Sequence, residues 1–290
     1  MEFPRIAGLP VAALIRSDLP AAQRLVEEAR WNQVPADWEL FLAEGGAFKV
    51  IDPSGALVAT AAVLPYAPRF GWISMVLVAG AYRRRGIATE LLQLCIARLR
   101  ELGLVPGLDA TPAGREVYRP LGFRDGWPIT RWRRAADASA AVLPASAHGA
   151  RALREQDWAG LARLDARAFG ADRTGLLRAL QARSASFACV LERQGRVAGY
   201  LLGREGRAAT QLGPLVAEDA GAAQALLAHA LPRVAGAVIV DALDRQQDFA
   251  RLLAQSGFAV ERPYTRMALD SDGAFGDADL GFAIAGPELG

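Results

Sequence analysis

The chain has 290 residues, about half of them apolar and 22% charged, a balance that suits a globular protein of two ordinary domains and excludes a disordered or fibrous one. Its formal net charge is +2, so no global basic field argues for nucleic acid as a partner. No apolar stretch reaches the length needed to span a membrane.

The first helix is predicted within residues 18–43, where "SDLP" is a start signal and Leu25, Val26 and Ala29 share one face. Pro35 and Asp37 in "WNQVPADWELFL" break it and start a second helix. "AFKVIDPSGALVATAAVL" reads as an antiparallel hairpin turning at "DPSG". "GWISMVLVA" is a dense apolar strand expected to be buried on both faces. Ile87, Leu91, Leu92, Cys95, Ile96 and Leu99 then recur at helical spacing, and Gly103 sits at the cap position. A strand "LVPGLDAT", a short helix "PAGREVYRPL" and a returning strand pair "GFRDGWPITRW" follow.

Residues 135–147 are Ala/Ser-rich and unpatterned, the composition of a linker. The chain then replays its first half: helices over 152–182, a hairpin turning at Gln194–Gly195, the strand "ATQLGPLVA", the helix "AAQALLAHAL", the strand "GAVIVDAL" and the helix "QDFARLLAQS". "VLVAGAYRRRGIATELL" and "GPLVAEDAGAAQALL" align as strand, loop and helix, and each half places "GF" after its next strand–helix unit. An internal duplication is the reading, with domains at 1–134 and 148–290, each α+β.

"AYRRRGIATELL" raises a question of charge. A helix N-terminus carries partial positive charge, yet Arg83, Arg84 and Arg85 stand directly before it. A bound anion removes the conflict. Gly86 and Ala88 keep side chains out of the way, the first-turn amides point outward, and arginines add charge-assisted donors, which together make a phosphate site. A P-loop would need Gly-Lys-Ser/Thr and a Rossmann loop three spaced glycines, and neither is present. The competing reading is a solvated arginine cluster.

With that loop, the sequence resembles the GNAT N-acetyltransferase superfamily, whose signature Arg/Gln-x-x-Gly-x-Gly/Ala follows a strand as in "VLVAGAYRRRGIATELL". "VYRPLGF" at 117–123 matches the companion feature, and "WNQVPADW", "LDATPAGREVYRPLGF", "FGADR", "RPYTRM" and "AIAGPELG" extend the likeness to a bacterial tandem group with a diverged second domain. The resemblance implies two tandem acyl-CoA N-acyltransferase folds, each a mixed, mostly antiparallel sheet flanked by helices. It implies acetyl-CoA as co-substrate. The main chain of Val76, Leu77 and Val78 would meet the acetyl carbonyl and pantetheine arm, and the amides from Arg84 through Gly86, Ile87, Ala88 and Thr89 the pyrophosphate. Tyr118 would protonate the departing thiolate, with packing against Phe123 as the other reading.

Three departures accompany the match. Ala88 replaces a commoner glycine, Thr111 stands where many relatives carry asparagine, and no carboxylate lies on the 70–78 strand to act as base. Asp109 is a possible substitute. Trp31, Asn32, Gln33 and Trp38 are the candidate acceptor wall, set against a role for both tryptophans in the core. In the second half Asp172, Arg173, Tyr264 and Arg266 are weaker candidates, with ion pairing as the alternative. The second loop, "AEDAGAAQALL", has lost the arginines and placed Glu218 and Asp219 where phosphate would lie, so it should bind no coenzyme A.

The expected activity is acetyl transfer from acetyl-CoA to the primary amine of a small acceptor. The alternatives are a non-catalytic acetyl-CoA-binding or regulatory protein and a transferase of another acyl group. His148 and His229 neighbour no Cys or carboxylate cluster, so no metal is expected, and neither are nucleic acid or membrane partners. Cys95 and Cys189 read as buried free thiols. With no basic segment ahead of a long apolar run, the expected location is cytoplasmic, as a monomer or homodimer.

Overall fold

The computed structural model describes residues 3–136, 149–271 and 275–290. The linker expected over 135–147 lies outside them from residue 137 onward, as does His148. Packing divides the chain into two compact units, residues 1–108 and 109–290. That cut precedes the end of the first sequence repeat, for a reason found in the second unit.

In the first unit, β1 (Val11–Ala13) leads to α1 (Leu19–Glu28) and α2 (Pro35–Glu44). Leu19, Ala22, Leu25 and Val26 form the buried stripe of α1. Pro35 opens α2, and the Asp37 carboxylate accepts from the Val34 amide at 2.8 Å, tying down a donor that the first turn leaves free. The hairpin β2 (Gly46–Ile51) and β3 (Leu57–Tyr66) turns where Asp52 accepts from the Ser54 and Ala56 amides. β4 (Phe70–Val78), α3 (Ile87–Glu101) and β5 (Val105–Ala110) complete the layer. Strands β1 to β4 are successive antiparallel neighbours, and β5 runs parallel to β4.

Two details of β4 position the site. Its pairing with β5 covers only Phe70–Val105, Gly71–Pro106 and Trp72–Gly107. There α3 packs so closely that a Cβ on Gly71 would fall 2.4 Å from the Leu99 side chain. Beyond Trp72 the strand bulges: the register against β3 slips between Thr60 and Ala62, Met75 takes φ +53°, and its carbonyl accepts from Thr60 Oγ1 at 2.8 Å. The main chain of Val76–Val78 therefore runs on without a parallel partner from β5.

The second unit holds α4 (Pro112–Tyr118), β6 (Phe123–Arg134), β7 (Arg151–Ala152), α5 (Trp158–Phe169), α6 (Thr174–Arg183), β8 (Cys189–Arg193), β9 (Arg196–Arg204) and β10 (Thr210–Ala217). After them come α7 (Ala220–Ala230), β11 (Val238–Leu243), α8 (Gln247–Gln255), β12 (Ala259–Leu269) and β13 (Gly281–Ala283). Their order across the sheet is β12-β6-β11-β13-β10-β9-β8-β7. The expected strand pair over "GFRDGWPITRW" is instead the single strand β6. It carries no reverse turn, and Pro128 is tolerated beside a register slip in β12 between Thr265 and Met267.

β6 pairs antiparallel with β12 on one side and β11 on the other. The last strand of the first repeat is thus built into the sheet of the second, which is why packing cuts the chain ahead of it. A bidentate pair locks this arrangement. Arg131 on β6 and Asp241 on β11 meet at 2.7 and 2.8 Å, both buried, with Gln211 Nε2 donating to the same carboxylate. The two "GF" turns are also alike: Gly122 (φ +96°) leads into β6 and Gly257 (φ +81°) towards β12, a conformation that only glycine adopts freely.

Candidate active site

The loop between β4 and α3 is built to leave its amides bare. Arg84 (φ +60°) and Gly86 (φ +80°) are both left-handed, the kind of backbone turn in which successive N–H groups can face one anion. Gly86 is the N-cap of α3 and supplies no side chain to it. The first main-chain bond into the helix runs from Glu90 to the Gly86 carbonyl. Among the described residues, the amides from Arg84 to Thr89 have no acceptor.

The three arginines divide their work. Arg83 donates from Nε to the Val78 carbonyl at 3.0 Å and from Nη2 to Glu28 at 3.3 Å, so its guanidinium fastens the loop to β4 and α1. Arg85 donates to the Ala81 carbonyl at 2.9 Å and lies over the Tyr82 ring at 4.9 Å. The Tyr82 hydroxyl in turn donates to Asp52 at 2.8 Å, anchoring the loop to the β2–β3 turn. Hydrogen bonds from Ser54, Tyr82 and the turn amides hold the Asp52 carboxyl down at about 2. Arg84 is exposed and has no side-chain partner among the described residues. Of the three guanidiniums of the loop it is the one left without a partner among the described residues.

Two family models cover most of the chain: the Acetyltransferase (GNAT) family at residues 13–123 and an Acetyltransferase (GNAT) domain at 161–279. The chain is a tandem member of the GNAT acetyltransferase family. The Bacillus subtilis protein named "Uncharacterized N-acetyltransferase YitH" is 26% identical over 239 residues, 81% of this chain and 82% of that one. Among solved structures, an acetyltransferase candidate from Pyrococcus horikoshii matches at TM-score 0.82 and 21% identity, over 100% of this chain and 99% of its own. A tandem GNAT protein from the clavulanic acid biosynthesis pathway matches at TM-score 0.66 and 16% identity, over 90% and 98%. At these identities the structures establish the fold: two GNAT domains of mixed, mostly antiparallel sheet with helices.

The second GNAT repeat has closed the corresponding loop. Asp219 is the N-cap of α7, its side chain accepting from the Ala222 amide at 2.8 Å, and it pairs with Arg193. That pairing, with help from the capping amide, holds its carboxyl below the usual range. Where the first repeat presents bare amides, the second presents a capped helix end and a carboxylate.

Tyr118 belongs to the second unit by packing, on α4. Its ring lies 6.0 Å from that of Phe123, and burial pushes its hydroxyl up from the ordinary phenol value. The hydroxyl has no hydrogen-bond partner among the described residues. Asp109 is committed elsewhere: it meets Arg266 in a buried bidentate pair at 3.0 Å, and burial raises its carboxyl against the pull of that guanidinium. Thr111 caps α4 by accepting from the Gly114 amide at 3.1 Å. The weaker second-half candidates are structural in the same way. Asp172 accepts from the amide and hydroxyl of Thr174, the first residue of α6, Arg173 is buried against Asp165, and the Tyr264 ring lies under Arg131 at 5.2 Å.

On the acceptor side, Trp31, Asn32 and Gln33 lie on the connection between α1 and α2, the first two half-buried. Trp38 is wholly enclosed and offers no face to a ligand, so it is a core anchor. One polar group escaped the sequence reading. Ser74 lies on β4 just before the bulge, on the strand face opposite Gly71, and its hydroxyl is buried without a partner, as is Gln33 Oε1. A lone serine in an apolar strand signals nothing until its missing partner is seen.

Proposed function

We propose that this GNAT protein moves the acetyl group of acetyl-CoA to the primary amine of a small acceptor. One site works, in the first repeat at 1–134, and the diverged second repeat at 148–290 binds no acetyl-CoA of its own. The observation that carries this reading is the contrast between the repeats: six consecutive bare amides with a free Arg84 in one loop, an Asp219-capped helix end in the other.

The cradle fits a pyrophosphate in kind, since main-chain donors, an uncommitted guanidinium and a residue without Cβ meet in one exposed loop. Acetyl-CoA supplies a thioester whose acyl group passes to a nucleophile and whose sulfur leaves as a thiolate. The main chain of Val76–Val78 takes the role of orienting the acyl arm by hydrogen bonds along an unpaired strand edge. Tyr118 supplies the proton that the sulfur needs: its hydroxyl carries no competing bond, and burial holds it protonated at neutral pH. Ser74 Oγ and Gln33 Oε1, both buried without a partner, accept hydrogen bonds from the acceptor amine in place of a carboxylate, and the proton that the amine sheds passes to water.

Calorimetric titration of the full chain tests the reading. One acetyl-CoA per chain is expected; none, or two, would refute it. The lack of any Asp or Glu on β4 favours the second reading, a non-catalytic acetyl-CoA-binding module, which predicts the same stoichiometry but no turnover with any amine.

A further inference from the structure

β10 and β11 of the second repeat correspond to β4 and β5 of the first, and they part in the same way. Their parallel pairing covers only Thr210–Val238 and Gln211–Ile239. β10 then slips register against β9 between Leu212 and Leu215, with Gly213 at φ +153°, as β4 slips against β3 around Met75. In the sequence repeat, Gly213 aligns with Met75, and Leu215 and Val216 with Leu77 and Val78.

The opening between the parted strands is filled by the chain itself. β13 enters antiparallel, with Ala283 opposite Leu215, Gly281 opposite Val216, and Ala283 opposite Ala242 on the other side. The Ala217 amide donates to the Leu280 carbonyl at 2.9 Å, and the Ile284 amide to the Asp241 carbonyl at 3.0 Å, so one short segment bonds to both strands. Phe282 packs edge-on against Phe249 at 5.6 Å in the core. Behind it, Arg204 and Glu288 form a buried pair, and Arg204 also donates to the Ala285 carbonyl. Gly213 is demanded by this passage, since a Cβ there would fall 2.1 Å from the Ile284 carbonyl oxygen.

We infer that residues 281–284 are a built-in surrogate for the cofactor arm, occupying in the second repeat the main-chain slot that the first repeat keeps for pantetheine. The same fold is thus completed twice, once by a ligand and once by its own chain. The second repeat has no second cofactor site waiting to be opened. Its sheet is whole without ligand, and Leu215 and Val216 spend on β13 the bonding edge that Leu77 and Val78 offer. This rests on the reading of the first repeat as the acetyl-CoA site.

Hydrogen exchange on the full chain, with and without saturating acetyl-CoA, tests it. The amides of Ala217 and Ile284 should exchange at least about a thousandfold more slowly than an open chain, equally in both conditions. Gly213→Ala should speed both by about tenfold or more; if that variant does not fold, Phe282→Ala, which removes the anchoring ring, should do the same. Open-chain exchange at Ile284 would overturn the inference, as would release of 281–284 by acetyl-CoA, added protection at Leu215–Ala217, or unchanged exchange in the variants. The reading of the first repeat fails separately, if acetyl-CoA does not slow exchange from Arg84 to Thr89.

Discussion

Replacing Gly86 probes the loop at the point where backbone and ligand compete for space. At φ +80° an L side chain is strained, by about 1–2 kcal/mol. Space is not the obstacle, because the nearest atom to an added Cβ is Glu90 Oε1 at 3.6 Å, an ordinary contact. Gly86→Ala should therefore lower stability by that amount and weaken acetyl-CoA binding by less than about tenfold. Gly86→Glu adds a negative charge in this loop and beside Glu90. A carboxylate about 5 Å from a phosphate charge costs about 3 kcal/mol at an effective dielectric constant of 20, a loss of about a hundredfold in affinity. Calorimetry with acetyl-CoA on both variants, with thermal unfolding to establish that each is folded, measures the two effects separately. A folded Gly86→Glu protein that binds as tightly as the parent would refute the site.

Other substitutions separate the remaining roles. Tyr118→Phe should cut turnover by about 10²–10⁴-fold with acetyl-CoA affinity unchanged, because the ring stays and only the proton is lost; turnover within about threefold would make Tyr118 a packing residue. Ser74→Ala should raise KM for the amine and lower kcat about tenfold while leaving stability within about 1 kcal/mol, since a buried hydroxyl without a partner contributes little to folding. Steady-state kinetics that match the parent would remove Ser74 from the site. Arg131→Met should destabilise the second unit by about 3–5 kcal/mol by stranding Asp241 in the core, read as a fall in the denaturation midpoint. Tyr82→Phe should raise the Asp52 pKa from about 2 towards the ordinary carboxylate value. Because the folded value is depressed, the parent's benefit is present above pH 4 and is lost as pH falls towards 2, a window that NMR titration can follow.

The elements were legible where the signal is local. Pro35, the Asp52–Gly55 turn, the Gln194–Gly195 turn and the apolar stripe of α3 each announce their element within a few residues, and the repeat pattern foretold two copies of one fold. The glycine start of α3 was legible for the same reason: Gly86 at a strand–helix junction marks where the helix begins. Pairing across the chain was not. β6 settles between β11 and β12, and β13 between β10 and β11, over sequence separations that no window spans. Arg83 and Arg85 look alike in sequence to Arg84, yet they bind main-chain carbonyls nearby, Val78 at the end of β4 and Ala81 in the loop. Asp109 and Arg266 lie 157 residues apart, so their ion pair emerges only when the strands are assembled.

Acetyl transfer to an amine by the first repeat is the step on which the proposed function turns. It is tested most directly by incubating the full chain with acetyl-CoA and a panel of small primary amines, following free thiol and the mass of each amine together. At least one amine is expected to gain an acetyl group in step with coenzyme A release, and Gly86→Glu to slow both by about a hundredfold when acetyl-CoA is well below saturation. Tight binding of acetyl-CoA with no acetylated amine across the panel would contradict it and leave a binding module in its place.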